Sequence, residues 1–366
     1  MQVLTLAQAL ERGSLRGPLA RALSRAWAGA FEAGLARVAR PLVLPPQIPV
    51  LAVGGATLGG SGKTSLAIAC AERLASQGAR VALVGHGFRA RPRHARRVEV
   101  DDRLSEVGDE ALACARSFSR FGARVSVVVA PRRAEAIDFA ARVLEPQVLV
   151  LDGVLQTYPQ RVSLSLLAVD ALEPWGRPAS TPPCGDLRAP AAALLAACDL
   201  VVPVGNEGEC AAPSAHGTIV SRGAWVAGVP PRRGIGKGVG MGRGGNGGKE
   251  EEEEEEVLLP WRELKGLRVG LLCALARPER LLRSLSRRGV YPELVVRVRD
   301  HGPLGQGALD EMSRRREVDL WLASPKCGLH LREVDVWRHA LAVGVGVIDF
   351  ALELSPALCS RLASLL

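Results

Sequence analysis

Aromatic side chains are scarce in this chain, at 4% of 366 residues with only two tyrosines. That leaves few rings on which nucleic-acid bases could stack, and no nucleic-acid recognition motif occurs, so a nucleic-acid partner is not expected. The eight cysteines form no C-x-x-C, and several lie in apolar runs such as "LAIACAERL" and "VGLLCALARP". This spacing excludes a zinc ribbon and argues against a disulfide frame; the thiols read as small buried hydrophobes in a reducing compartment. No run of about 18 apolar residues occurs, so no spanning helix is expected. The opening "MQVLTLAQALERGS" has neither the basic start nor the apolar core of a secretion signal, which leads to a cytoplasmic expectation.

What is present is apolar and basic. Hydrophobic residues make up 48%, enough for one large or two medium cores, and the net charge is +9 despite the seven-glutamate run Glu250–Glu256. A positive excess suits an acidic partner such as a nucleotide or an anionic lipid surface.

Along the chain, residues 14–40 predict an amphipathic basic helix. Leu19, Leu23, Trp27, Phe31 and Leu35 repeat every four residues, with five arginines against the single Glu32. Two readings stay open for this helix: lying on an anionic membrane, or packing on its own domain. Apolar strands then alternate with helical stretches: "IPVLAVGG", "ARVALVGHG", "ARVSVVVA" (123–130), "QVLVLDG" (147–153), "LSLLAVD" (164–170) and "CDLVVPVG" (198–205). This alternation predicts an α/β fold, a P-loop-type doubly wound parallel sheet. The expected organisation is a helical region over 1–44, a nucleotide-binding domain over 45–228, a low-complexity Gly/Glu linker over 229–257, and a second, smaller α/β domain over 258–366. The linker is too poor in apolar residues to order itself.

The stretch "GGATLGGSGKTSLAIACAERL" (54–74) joins a strand, a glycine-rich loop, Gly-Lys-Thr and a helix. The phosphate-loop window is Thr57-Leu58-Gly59-Gly60-Ser61-Gly62-Lys63-Thr64, with Thr57 where G-x-x-x-x-G-K-[ST] has its first glycine. Gly59, Gly60 and Gly62 let backbone N–H groups turn toward a phosphate at the positive end of the next helix. Lys63 is suited to the β- and γ-phosphates, and the Thr64 hydroxyl to Mg²⁺. No N-K-x-D occurs, which favours ATP over GTP. Asp152 ends an apolar strand, where a carboxylate organises Mg²⁺; its alternative is a turn aspartate before Gly153. Asp109 and Glu110 open a helix, where catalysis and simple capping are equally compatible with the residues.

The segments "GGSGKT", "VGDEALACAR", "VVVAPRRAEA", "LDGVLQTY", "PPCGDLRAP", "ALARPERL" and "RDHGPL" occur in the order of the tetraacyldisaccharide 4′-kinase (lipid A 4′-kinase) family, which the chain resembles over roughly residues 20–350 outside the linker. The resemblance implies ATP-dependent phosphorylation of the 4′-hydroxyl of a lipid A disaccharide 1-phosphate at the inner face of the inner membrane, with residues 14–40 as the membrane-docking helix. It also implies an Asp–His pair serving the acceptor hydroxyl, which falls on Asp109 and His301, the latter preceded by Asp300. The basic residue of the family's A-P-D-R falls on Arg133, with Arg132 in place of the acid. Arg188 matches another basic position, and Glu110 stands beside the metal-binding set of Thr64 and Asp152.

The chain departs from the family at several points. D-D-G-[LF]-Q-H reads Asp152-Gly153-Val154-Leu155-Gln156-Thr157, and L-R-E-P reads Leu187-Arg188-Ala189-Pro190. S-R-G-Y-G reads Gly85-His86-Gly87-Phe88-Arg89, and T-E-K-D reads Ser324-Pro325-Lys326-Cys327. The lost acids leave two other readings open: a regulatory nucleotide-binding relative with impaired transfer, and a P-loop kinase for another acceptor.

Overall fold

The fold is that of a computed structural model, which describes residues 15–37, 42–85, 87, 90–153, 162–210, 215–227, 257–275, 277–298, 304–315, 317–333 and 344–366. The expected linker 229–257 lies outside these residues except for Val257, and so does His301.

The chain forms two compact units, one of residues 1–219 with 352–366 and one of residues 220–351. The first carries strands β1 (Val50–Gly55), β2 (Val81–Val84), β3 (Arg96–Arg97), β4 (Val125–Val129), β5 (Val148–Asp152), β6 (Leu164–Asp170), β7 (Leu200–Asn206) and β8 (Gly217–Val220). With the C-terminal strand Ala351–Leu354 beside β8, they make a nine-stranded sheet; inward from that edge the order is β8-β7-β6-β1-β5-β2-β4-β3. All the pairings from β8 through β7, β6, β1, β5 and β2 to β4 are parallel, and the short β3 runs antiparallel against β4. Every residue of β1, β2, β4, β5 and β6 is buried, because helices cover both faces of a parallel sheet. That burial accounts for the near-continuous apolar runs read in the sequence.

The second unit has β9 (Gly223–Ala227), β10 (Val257–Pro260), β11 (Val269–Cys273), β12 (Leu294–Arg297), β13 (Leu320–Ala323) and β14 (Gly344–Ile348), in the order β10-β9-β14-β13-β11-β12. Its core lies on both sides of the sheet. Leu271, Cys273 and Leu322 pack with the helix Pro278–Arg287 on one side, while Leu272, Trp321 and Ala323 pack with Leu309 and Met312 on the other.

This division differs from the expected one at both junctions. Residues 220–228 were expected in the nucleotide-binding domain, yet β9 pairs with β10 and β14 of the second unit. Residues 352–366 were expected in the smaller domain, yet the chain returns to the first unit. Ser355 and His216 exchange two hydrogen bonds, Ser355 N–H to the His216 carbonyl at 3.0 Å and His216 N–H to Ser355 Oγ at 3.2 Å. The helix Pro356–Ala363 then packs on the helix Lys63–Ser76, burying Leu358 and Leu362 completely. The deciding interactions are strand pairing and non-local packing, which local periodicity does not encode.

The predicted N-terminal helix spans Pro18–Arg37. It docks through its small residues: Ala20 and Ser24 are buried, Ser24 Oγ donates to the Thr181 carbonyl at 2.7 Å, and Thr181 Oγ1 donates to the Ser24 carbonyl at 2.8 Å. Arg16 adds a bond to the Cys184 carbonyl at 2.8 Å. Leu19, Leu23 and Trp27 face away from the body, 73%, 51% and 53% exposed. Leu19, Leu23 and Trp27 are therefore not on the face that packs on the domain.

Candidate phosphotransfer site

β1 ends at the centre of the first sheet, and the chain turns there into the loop 56–62 before entering the helix Lys63–Ser76. Gly60 and Gly62 adopt positive φ values of 77° and 87°. Gly62 also lies so close to β7 that a Cβ would stand 2.7 Å from Val204 Cγ1. Glycine is required there by both the backbone and the space. Thr57 is 2% exposed; its Oγ1 donates to the Gly59 carbonyl at 2.8 Å, and it makes an isolated bridge with Leu187. Thr57 thus braces the loop from behind. Ser61 is buried, its hydroxyl held over Gly55, where a Cβ would meet it at 2.3 Å.

Parallel register places Val53 of β1 opposite Asp152 of β5, so the strand-ending acid stands beside the loop. Lys63 Nζ lies 3.4 Å from Asp152 Oδ1 and 3.8 Å from Glu110 Oε2. Thr64 Oγ1 donates to Asp152 Oδ2 at 3.1 Å. Asp152 and Glu110, distant in the chain, are gathered beside Lys63 and Thr64 at the start of one helix. Their oxygen donors suit Mg²⁺, which takes one or two carboxylates and completes its octahedron with phosphate oxygens and water. Among the described residues no group of three or more His, Cys, Asp or Glu forms a protein cage for a metal, and Mg²⁺ in phosphotransfer sites needs none.

Two arginines lean on the same cluster. Arg133 Nη2 donates to the Asp152 backbone carbonyl at 3.0 Å, and burial pulls its pKa down while the Asp152 carboxylate opposes that shift. Arg188 Nη2 donates to the Leu58 carbonyl at 3.2 Å and the Thr57 carbonyl at 3.4 Å; burial lowers its pKa too, against the pull of Asp152 and Glu110. A guanidinium remains charged through such shifts, so both bring positive charge to a half-dry pocket. The sequence reading left the role of Arg188 open. Its signal was the "DLRAP" segment, whose Arg188 N–H also bonds the Ala56 carbonyl at 2.9 Å and so seats the segment on the phosphate loop.

Asp109 is 6% exposed at the start of the helix Asp109–Ser117, and its Oδ1 accepts the Glu110 N–H at 2.8 Å. Gly108, with φ 87° and ψ 155°, turns the chain into that helix. Asp109 belongs to the first unit, whereas His301 falls in the residue range of the second and outside the described residues. Gly153, where the family's second acid would stand, has φ 78°; a Cβ there would lie 3.9 Å from Arg133 Nη2.

The chain is similar to several known proteins. Residues 18–364 match the family model for tetraacyldisaccharide-1-P 4′-kinase. A protein of Geobacter sulfurreducens named tetraacyldisaccharide 4′-kinase is 31% identical over 293 residues, 77% of this chain and 74% of the relative. One of the same name from Alcanivorax borkumensis is 38% identical over 162 residues, covering 44% of this chain and 47% of the relative. A Legionella pneumophila relative is covered to 48%, so in these two the match spans about half the relative's length. The crystal structure of LpxK from Aquifex aeolicus in complex with ATP has the same fold, with a TM-score of 0.59 at 19% identity over 94% of this chain and 96% of that one.

Proposed function

Because the chain belongs to the tetraacyldisaccharide-1-P 4′-kinase family, we propose that it transfers the γ-phosphate of ATP to the 4′-hydroxyl of a tetraacyldisaccharide 1-phosphate. The observation that carries this reading is the convergence of Lys63, Thr64, Asp152 and Glu110 at the mouth of a glycine loop.

Phosphoryl transfer requires positioning and charge neutralisation more than covalent chemistry. Loop N–H groups and Lys63 hold the β- and γ-phosphates. Thr64 and Asp152, with Glu110 beside them, would hold Mg²⁺, which would supply positive charge to neutralise the phosphates. Arg133 and Arg188 supply further positive charge toward the transferring group. Asp109 takes the proton of the 4′-hydroxyl as the sugar oxygen bonds to the γ-phosphorus and the bond to the β-phosphate oxygen breaks, releasing ADP. Glu110 and Asp152 are the acids left to compensate for the carboxylates missing at Gly153 and Ala189.

The acceptor is a lipid, so the enzyme works at a membrane. No helix among the described residues is long and apolar enough to cross one. The helix Pro18–Arg37 supplies the alternative. Leu19, Leu23 and Trp27 turn outward beside the exposed Arg16, Arg21 and Arg25, a pattern suited to lying on an anionic surface. Docking there is peripheral, on the cytoplasmic face of the bacterial inner membrane.

The test is a lipid phosphorylation assay with Mg-ATP and tetraacyldisaccharide 1-phosphate in detergent micelles, with Lys63→Ala and Asp109→Ala alongside. Phosphate on the lipid, lost in both variants, supports the kinase. ATP binding through Lys63 without transfer refutes it and leaves a nucleotide-binding relative.

A further inference from the structure

Beyond the phosphate loop, the carboxyl edge of the first sheet holds a second group of buried polar side chains. Asn206 ends β7 at 1% exposure, and Glu209 follows three residues later at 8%. A tight turn joins them, with the Glu209 N–H bonded to the Asn206 carbonyl at 3.0 Å and Gly208 at φ 74°. Glu209 grips Asn206 from two sides. Its Oε2 accepts the Asn206 backbone N–H at 2.9 Å, and the Asn206 side-chain Nδ2 donates to both Oε1 and Oε2 at 3.1 Å. That fixes the amide orientation, since a flipped amide would set oxygen against carboxylate. The remaining atom, Asn206 Oδ1, is buried and accepts no hydrogen bond.

A buried acceptor left unpaired is uncommon, and one at the carboxyl edge of an α/β sheet lies where such sheets bind ligands. Its distance from the phosphate loop is short. β7 lies two strands from β1, on the side away from Asp152. Gly62 packs on Val204, and Asn206, two residues further along β7, projects from the same face of the sheet. One step of two residues is roughly 7 Å, which keeps Asn206 within the span of a single nucleotide from the loop.

We propose that Asn206 is the base-reading residue of the nucleotide site, accepting a hydrogen bond from the 6-amino group of adenine through Oδ1, with Glu209 as the positioning residue that holds the amide. A single free acceptor complements an exocyclic amine. It opposes the 6-oxo group of hypoxanthine or guanine, which presents oxygen to oxygen. This rests on the reading that the glycine loop takes ATP, and it names what selects the base.

The experiment is equilibrium binding by calorimetry on the full chain, without lipid, using ATP, ITP and purine riboside triphosphate. These carry a 6-amino, a 6-oxo or no substituent at that position, ITP having a proton on N1 as well. The wild type should bind ATP about tenfold more tightly than ITP, and purine riboside triphosphate in between, the scale of one well-made hydrogen bond against an unpaired one. Asn206→Ala should bring ATP and ITP within about twofold of each other, with ATP bound more weakly and ITP more tightly than by the wild type, and Glu209→Gln should give an intermediate ratio. Thermal melts report whether the variants fold; if Asn206→Ala does not, the wild-type ratio and Glu209→Gln decide. Equal wild-type affinity for ATP and ITP overturns the proposal, as does a full ratio in folded Asn206→Ala. Lys63→Ala, expected to lose all three nucleotides alike, separates this outcome from failure of the phosphate loop. Transfer to the lipid fails or succeeds independently of the ratio.

Discussion

Gly62 closes the phosphate loop at φ 87° against Val204, so a methyl group there is opposed both by the backbone and by a neighbour 2.7 Å away. Gly62→Ala should cost on the order of 2 kcal/mol in urea unfolding and weaken nucleotide binding along with it. A variant as stable as the wild type would mean that the loop relaxes freely. Cysteine chemistry follows burial in the same way. Burial pushes the Cys273 thiol up to about 12, and drives Cys70, packed inside the first unit, further in the same direction. The thiolate is the nucleophile, so native-state alkylation at pH 8 should leave both unlabelled while denatured protein is labelled at every cysteine. Labelling of Cys273 at the denatured rate would contradict the packing. The glycines and the Gly-Lys-Thr were legible from the chain because their roles are local. Arg188 was less so, since its value lies in reaching the Thr57 and Leu58 carbonyls, 130 or more positions away in sequence.

At the scale of elements, the helix Pro18–Arg37 separates two jobs that one hydrophobic pattern had merged. Its small face is bonded to Thr181, while Leu19, Leu23 and Trp27 face outward. Replacing Leu19, Leu23 and Trp27 with serine should therefore leave the melting temperature within a degree or two of the wild type, while abolishing sedimentation with anionic vesicles. A large thermal loss would show that the stripe packs on protein. The helix Lys63–Ser76 carries a different penalty at its far end. Burial raises the Glu72 carboxyl, with Arg120 at 2.8 Å opposing the shift. The folded state then holds that proton more tightly than the unfolded chain, so stability falls as pH rises from the ordinary carboxylate value through the raised one. Glu72→Gln should match the wild type at acidic pH and become relatively more stable toward pH 7, a difference that melts across the range would reveal. A gap that shrinks with rising pH would reverse the assignment.

On the scale of the whole molecule, the chain closes on itself. Residues 352–366 return to the first unit, pairing beside β8 and burying Leu358 and Leu362 against the phosphate-loop helix. Removing them should destabilise that unit by roughly 3–6 kcal/mol, the worth of two fully buried leucines, and lower its melting temperature accordingly. An unchanged melt would mean the return is ornamental to stability. By contrast, deletion of residues 234–256 should leave lipid phosphorylation intact, and a large fall in turnover would show that the Gly/Glu stretch takes part.

The sequence by itself determined the parts that are local: apolar runs long enough for buried parallel strands, a glycine loop before a helix, and an acid at a strand end. Each depends on neighbours within a few residues, where side-chain period and turn chemistry act. Tertiary structure alone decided which strands meet. Parallel pairing sets Asp152 beside Val53 across almost a hundred residues, and so brings the acid to Lys63 and Thr64. It decided too that the C-terminal segment belongs with the first sheet, that Leu19, Leu23 and Trp27 of the N-terminal helix face outward, and that Asn206 ends two strands from the phosphate loop. Those outcomes depend on strand order and on burial shared between distant segments, free energies that no stretch of the chain carries alone.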